Sequence, residues 1–392
     1  MLICEEDRCT GCGACSVICP KHCIKIITDA DGFYYPKINQ DKCIGCSKCI
    51  KNCPINSRCV SSMDHVTEAF SFIHRDANTL SRSSSGGAFM ALAEKVISDG
   101  GYVFGAVYDK NFNVVMNSAK TLKELTKMQG SKYVEAYVGD TYIRAKEYLD
   151  EGAQVLYSGT PCKIAGLYAY LKGKKYLNLI TIEILCHGVP SNKLFRSYLE
   201  FINWKYGKVI GYSFRDKAKW GWGAWGSFKY IKNGKSKERY FPARSDYYYS
   251  LFYSDNCFRE SCYNCKFASE ERIADITVGD CWGIEEIMPS SRIQNGVSVI
   301  IVNSELGRKA LFNAVDASIL TQLDIEWVRK NNANLVRPTK RPERRTNFYK
   351  DFNNEGFVVT AKKYVKIQHI LPFVARYIPR EFKIKAKKVL HK

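Results

Sequence analysis

The sequence predicts two folding units of different class, a small α+β module followed by a larger α/β domain on a mixed sheet. Three observations predict this. Eight of the 17 cysteines fall in two copies of one compact run within the first 54 residues. Beyond residue 85, apolar stretches alternate between helical and extended periods, the order of a βαβ unit. At 392 residues the chain exceeds what one small module needs, and a 46% hydrophobic content suffices for a sizeable second core.

The runs read Cys9-x2-Cys12-x2-Cys15-x3-Cys19-Pro20 and Cys43-x2-Cys46-x2-Cys49-x3-Cys53-Pro54. This is the spacing of a two-cluster bacterial ferredoxin, in which three close thiolates hold one 4Fe-4S cube and the fourth crosses to the other. One cluster is therefore assigned to Cys9, Cys12, Cys15 and Cys53, the second to Cys43, Cys46, Cys49 and Cys19. Each following proline fixes φ and turns the chain away. Disulfides or a four-cysteine zinc site are the alternatives, and the paired repetition favours iron–sulfur over both. Residues 1–60 are expected to form an α+β ferredoxin-like 2x[4Fe-4S] domain, with strands at 24–27 and 34–38. Cys4, Cys23 and Cys59 are expected to pack as small apolar groups.

Residues 61–85 read as a linker ending in a serine run. Residues 86–330 read as the α/β domain, with a helix over 88–97, a strand over 102–108 and a helix over 141–149. A strand at 154–157, a helix at 163–171 and a strand at 177–186 then make a βαβ unit, so the sheet is partly parallel. The Gly-, Trp- and Tyr-rich stretch 209–250 suits antiparallel strands or a binding loop, and 297–302 a buried strand. Residues 331–392 read as a basic C-terminal extension.

Cys162, Cys186, Cys257, Cys262, Cys265 and Cys281 form a second set. Cys162 follows a strand-to-helix turn, where the helix N-terminus favours a thiolate. Cys186 ends the next parallel strand, on the edge where α/β proteins assemble sites. With the Cys262-x2-Cys265 arm they offer four thiolates for a third 4Fe-4S cluster. Zinc or ordinary buried thiols are the alternatives, and Cys257 and Cys281 are spare candidates. His187, beside Cys186, is a candidate proton donor, or else a hydrogen-bonded structural residue.

Two Gly-rich turns offer backbone N–H groups to an anion. Ser85, Gly86 and Gly87 precede a helix, and Gly130, Ser131 and Lys132 form the second. A flexible linker with an N-cap explains the first equally well. Neither is a Walker or dinucleotide fingerprint, so an ATPase or a standard nicotinamide site is not supported.

The formal charge of +20 implies an acidic partner: a phosphorylated cofactor, an acidic protein, anionic lipid or nucleic acid. No nucleic-acid-binding module is recognisable, so an iron–sulfur nucleic-acid-binding protein ranks last and no nucleic acid is expected. The opening MLICEEDRC has no secretory pattern and no run approaches 18 apolar residues. Free thiols and labile clusters need a reducing compartment, so the expected location is cytoplasmic. In 380–392, Phe382, Ala386, Val389 and Leu390 share one helical face among lysines. Such a tail fits peripheral contact with the anionic inner membrane face, or a solvated basic end.

SRSSSGGAF, MQGSKYV, YSGTPCKIAGL, ILCHGVPS, CYNCKFA and ADITVGDCWG, in that order behind the cysteine repeats, resemble the coenzyme F420 hydrogenase/dehydrogenase beta-subunit family. The wording is most similar to bacterial members found with surface-polysaccharide enzymes. The resemblance implies FAD, an additional 4Fe-4S cluster on Cys162, Cys186, Cys262 and Cys265, and electron exchange with a deazaflavin hydride carrier, coenzyme F420 or a related acceptor. It makes Ser85, Gly86, Gly87, Gly130, Ser131, Lys132, Gly159 and Thr160 the flavin-contacting turns. Cys281 stands where the family pattern leads one to expect an aromatic or small residue. The combined expectation is an iron–sulfur flavoprotein oxidoreductase with a redox protein partner. Its rival is an electron-relay subunit without its own substrate.

Overall fold

Asp29 accepts the main-chain N–H of Phe33 at 2.8 Å, and Gly32 adopts φ +89°. These two residues close the hairpin of β1 (Ile24–Thr28) and β2 (Tyr34–Ile38), paired Ile24 to Ile38 and Thr28 to Tyr34. The hairpin joins the two cysteine loops. The computed structural model describes residues 2–57 and 66–368; Cys59 and the tail 380–392 lie outside them.

Residues 61–85, expected as a linker, contain β3 (Glu68–His74) and the short helix Ala77–Arg82. β3 is built into the main sheet. Its run Ala69–Ile73 is buried on both faces and so lacks the alternation that marks a half-exposed strand. The further strands of this sheet are β4 (Tyr102–Tyr108), β5 (Val114–Ala119), β6 (Val155–Gly159) and β7 (Leu179–Ile184). A separate antiparallel sheet holds β8 (Lys208–Ser213), β9 (Trp225–Lys232) and β10 (Lys235–Pro242), as the 209–250 composition predicts. The main sheet is completed by β11 (Ile276–Asp280), β12 (Ser298–Val302) and β13 (Ser318–Leu323).

The main sheet runs β13-β3-β12-β11-β7-β6-β4-β5. β11, β7, β6 and β4 are mutually parallel, and the flanking pairs are antiparallel. The expected βαβ unit is β6, the helix Pro161–Leu171 and β7. The parallel strands are apolar throughout because both faces are covered. On one face Leu156, Ile180 and Ile182 pack with the helix Ala88–Ser98. On the other, Val155, Tyr157 and Leu179 pack with the helices Thr141–Asp150 and Pro161–Leu171. Cys12, Ala14 and Ile24 of the cysteine module belong to that second core.

The expected boundary at residue 330 does not release a separate extension. The helical segment Arg345–Tyr364 breaks at Gly356 (φ +77°) and buries Phe348, Tyr349, Phe352 and Phe357. These rings join an aromatic core with the helices Asn192–Tyr206 and Tyr247–Tyr253. Basic residues around this segment mask its apolar face in the sequence. Among the described residues no helix is long and apolar enough to cross a membrane.

Candidate metal centres and cofactor-binding edge

The two cysteine loops cross. The short helices Ala14–Val17 and Lys48–Lys51 pack together, and each delivers the fourth cysteine of its run to the other copy. One cavity is lined by Cys43, Cys46, Cys49 and Cys19, with Cys23, Ile44, Lys21 and Lys48. The other is lined by Cys9, Cys12, Cys15 and Cys53, with Cys4, Ile3 and Gly11. They enclose about 350 and 380 Å³ respectively, open mouths included. Each holds four thiols in the cross-over sets that a two-cube module requires. A zinc ion gathers its sulfurs about 2.3 Å from one centre. Among the described residues no three His, Cys, Asp or Glu side chains are gathered that tightly.

Cys4 and Cys23 do more than fill apolar space. Hydrogen bonding to Cys4 is the main influence holding Cys9 down to about 6 and Cys53 down to about 7. The Cys23 Sγ lies 3.3 Å from that of Cys19. Each spare thiol therefore stands against a proposed ligand. Their place in the cavities follows from the fold-back of the loops, which the local spacing does not show.

The two cavities differ in surroundings. The Cys43 cavity faces outward: Cys46 is exposed and Ile44 is 60% exposed, with exposed Lys21, Lys42, Lys48 and Lys51 nearby in the chain. The Cys9 cavity faces the α/β domain. Tyr142 Oη donates to the carbonyls of Cys12 (3.0 Å) and Lys163 (2.8 Å), and Lys163 Nζ donates to the Gly11 carbonyl. A Cβ on Gly166 would stand 3.1 Å from the Cys12 Cβ, so the helix Pro161–Leu171 lies directly on the Cys12 loop. Lys266 Nζ donates to the carbonyl of Pro54 at 3.0 Å.

Arg259 and Glu135 complete this inner wall. Both side chains are only 1% exposed, and Arg259 Nη1 donates to Glu135 Oε1 at 3.0 Å. Arg259 Nε donates to the Cys9 carbonyl at 2.6 Å, while Glu135 Oε2 accepts the Tyr34 main-chain N–H at 3.2 Å. The guanidinium carbon lies 4.0 Å from the Tyr35 ring centroid. The pair is 124 residues apart in the sequence, so no local motif announces it.

Cys162, Cys186, Cys262 and Cys265 meet in one region. Burial pushes the thiol of Cys186 up to about 12, and its neighbours Cys162 and Cys265 push it the same way. Burial likewise raises Cys265 to about 11, with Cys162 adding to it, and raises Cys262 well above the ordinary range, with Cys186 and Cys265 adding. Four crowded, desolvated thiols favour a cationic core that would neutralise them. Cys162 stands in the first turn of the helix Pro161–Leu171, its Sγ 3.2 Å from Thr160 Oγ1. The two spare candidates lie elsewhere: Cys257 in the aromatic core, and Cys281 in the apolar cluster with Ile284 and Val297.

The two Gly-rich turns come together. Ser131 donates its main-chain N–H (2.7 Å) to Ser84 Oγ, and their hydroxyls lie 2.8 Å apart. Ser85 Oγ donates to the Val297 carbonyl, and Gly86 N–H donates to Ser298 Oγ at 2.9 Å. Gly86 is required by packing, since a Cβ there would stand 2.0 Å from the Phe72 carbonyl oxygen. Gly87 adopts φ +87° beside His74, whereas nothing lies within 4 Å of a Cβ on Gly130. Lys132 Nζ is turned inward, donating to the carbonyls of Met128, Gln129 and Gly130 at 3.1–3.3 Å. Gly159 and Thr160 belong to another part of the edge. They follow β6, four strand positions from β3, or about 19 Å at ordinary spacing.

Around the joined turns lies a network that sequence reasoning did not identify. Lys217 Nζ donates to the carbonyls of Leu80 (2.9 Å) and Ser85. Arg215 Nη1 donates to Asp280 Oδ2 (2.8 Å) and to Tyr133 Oη (3.2 Å). Trp222 Nε1 donates to Asp280 Oδ1, and its ring stacks on Trp282 with centroids 5.5 Å apart. The aspartate in the motif ADITVGDCWG was the available signal. Both ring nitrogens of His187 are engaged, Nε2 with Asp255 Oδ1 at 2.7 Å and Nδ1 with Asn334 Oδ1 at 3.1 Å. Burial opposes its protonation, but the Asp255 carboxylate outweighs that and raises its pKa.

Residues 8–57 match the family model described as 4Fe-4S dicluster domain. Residues 152–326 match the model for the C terminus of the Coenzyme F420 hydrogenase/dehydrogenase beta subunit. No curated protein matches. Among solved structures, a chain of the F420-reducing [NiFe] hydrogenase complex from Methanosarcina barkeri, studied with xenon, is similar at 17% identity. The match covers 76% of this chain and 91% of that one, with a TM-score of 0.44. With one model spanning the cysteine repeats and the other the second cysteine set, the chain belongs to the coenzyme F420 hydrogenase/dehydrogenase beta-subunit family and is an iron–sulfur electron-transfer protein.

Proposed function

We propose that this chain is an iron–sulfur flavoprotein oxidoreductase, passing electrons between three 4Fe-4S clusters and a hydride carrier such as coenzyme F420 by way of FAD. One observation carries the reading. The helix that begins beside Cys162, in the third thiol set, lies with Gly166 against Cys12 of the inner cavity. The thiol sets thus follow one another from the exposed Cys46 rim through the inner cavity to the sheet edge. Cys9, Cys12, Cys15 and Cys53 are the proposed ligands of the inner cluster. Cys43, Cys46, Cys49 and Cys19 are those of the outer, and Cys162, Cys186, Cys262 and Cys265 those of the third.

When bound, the cubes exchange single electrons, and a flavin converts two-electron hydride chemistry into single-electron steps. The chain supplies placement and shielding. Ser84 and Ser131 fasten the two turns that offer N–H groups to a phosphorylated cofactor. Trp222 and Trp282 provide an aromatic wall at the same edge. His187, held by Asp255 and Asn334, serves in this reading to position the Cys186 loop. At the opposite end, Lys21, Lys42, Lys48 and Lys51 favour an acidic redox protein as the partner at the outer cavity.

Anaerobically purified full-length protein is expected to contain about twelve irons per chain, four per cube, together with FAD. About eight irons and no flavin would overturn the enzyme reading and leave the relay. Anaerobic reduction assays with coenzyme F420, nicotinamides and reduced ferredoxin then identify the carrier. Failure with every hydride donor in flavin-loaded protein overturns the hydride chemistry.

A further inference from the structure

We propose that Arg259 is a positioning residue shared by two clusters, its buried guanidinium raising the reduction potentials of the inner ferredoxin-type cluster and of the third cluster together. The inference rests on the reading that the second thiol set holds a cluster.

Arg259 is tied to both thiol sets. Its side chain donates to the carbonyl of Cys9, and its own carbonyl accepts the main-chain N–H of Cys262 at 2.9 Å. Its N–H donates to the Val189 carbonyl, three residues beyond Cys186. Glu135 takes Nη1, and the Tyr35 ring lies against the guanidinium. Nη2 is buried and has no hydrogen-bond partner among the described residues. A buried guanidinium nitrogen without an acceptor is costly. An acceptor that is not part of the polypeptide, such as a cluster sulfur, is the kind of group that would satisfy it.

The electrostatics has a definite sign. Each reduction adds one negative charge to a cube, and a fixed positive charge in a poorly polarisable interior favours that form. Glu135 offsets part of this field, and its second oxygen is spent on Tyr34 N–H. The outer cavity lies across the module and is open to solvent at Cys46, where water screens the same charge. One residue therefore biases two neighbouring potentials in the same direction and spares the third.

The test uses anaerobically prepared full-length holoprotein and redox titration followed by electron paramagnetic resonance. Arg259→Gln is expected to lower two of the three midpoint potentials and leave one unmoved, with iron and sulfide content unchanged. Glu135→Gln, which keeps the guanidinium and removes its counter-charge, is expected to raise the same two. Arg259→Lys retains the charge and is expected to restore most of the shift. Unmoved potentials in both Gln variants overturn the proposal, as does an equal shift of all three. Where Arg259→Gln does not fold, the direction of the Glu135→Gln shift decides alone. A wild-type iron content of two cubes rather than three removes the third cluster. The Glu135→Gln shift of the inner ferredoxin-type signal still tests Arg259 in that case.

Discussion

The two cysteine cavities carry the same motif, yet they keep different company. Around Cys9, Cys12, Cys15 and Cys53 the walls are Tyr142, Lys163, Gly166, Arg259 and Lys266, all from the α/β domain. Around Cys43, Cys46, Cys49 and Cys19 the flanks are exposed lysines, Ile44 and solvent. Local sequence dictates how thiols are spaced. The rest of the chain dictates what surrounds them, and the surroundings set potential, access and direction. The duplication therefore supplies two similar ligand sets, and the docked domain makes one an interior site and the other a port.

The sharpest way to break this contrast is to unbalance the inner wall. Arg259→Ala or Glu135→Ala leaves a buried charge unpaired and is expected to cost about 3–5 kcal/mol, read as a lowered thermal midpoint of the holoprotein. A thermal midpoint equal to wild type would mean that the wall is not under that electrostatic constraint.

A smaller effect compares one glycine in each copy. Gly11 (φ +59°) and Gly45 (φ +67°) both adopt the left-handed region, so alanine costs about 1 kcal/mol at either. At Gly11 the new Cβ would also stand 2.5 Å from Glu135 Oε1, whereas at Gly45 nothing lies within 4 Å. Gly11→Ala is expected to be the more destabilising in denaturant titration, and equal midpoints would contradict the asymmetry.

Access gives a third comparison. With Cys46 exposed and Cys12 buried, a chelator is expected to strip iron in stages, the outer cavity first. Single-phase loss, followed by absorbance and iron release, would place both cavities in equivalent surroundings. Smallest in its effect on the fold is charge reversal at the rim. Lys42→Glu with Lys48→Glu is expected to change stability by about 0.5 kcal/mol or less. It is nonetheless expected to slow electron transfer from an acidic carrier about tenfold at low salt, with the difference lost at high salt. A rate that is salt-independent and unaltered by the reversal would remove the lysines from partner recognition.

Much of the cysteine chemistry was legible because ligand spacing is local: three thiols within seven residues announce a cube without any knowledge of the fold. The βαβ unit was legible too, from apolar runs separated by a helical pattern. β3 was not, because a strand buried on both faces shows no alternation and a serine run follows it. The helical segment Arg345–Tyr364 was hidden by the lysines and arginines around its aromatic side. Arg259 and Glu135 were hidden by distance along the chain, since their meaning arises only when the module docks. The Gly-rich turns were recognised as turns, but Gly86 is glycine because β3 and β12 leave no room for a side chain there.

The contact of Gly166 with Cys12 has an evolutionary consequence. The first 57 residues look like a cassette that could be exchanged among redox proteins. Half of its inner cavity, however, is finished by residues contributed more than a hundred positions later. A recombination event that moved the cassette alone would leave the carbonyls of Cys9, Gly11 and Cys12 without their donors. Module and host can therefore diverge only in step, with Gly166, Tyr142, Lys163 and Arg259 travelling as part of the inheritance.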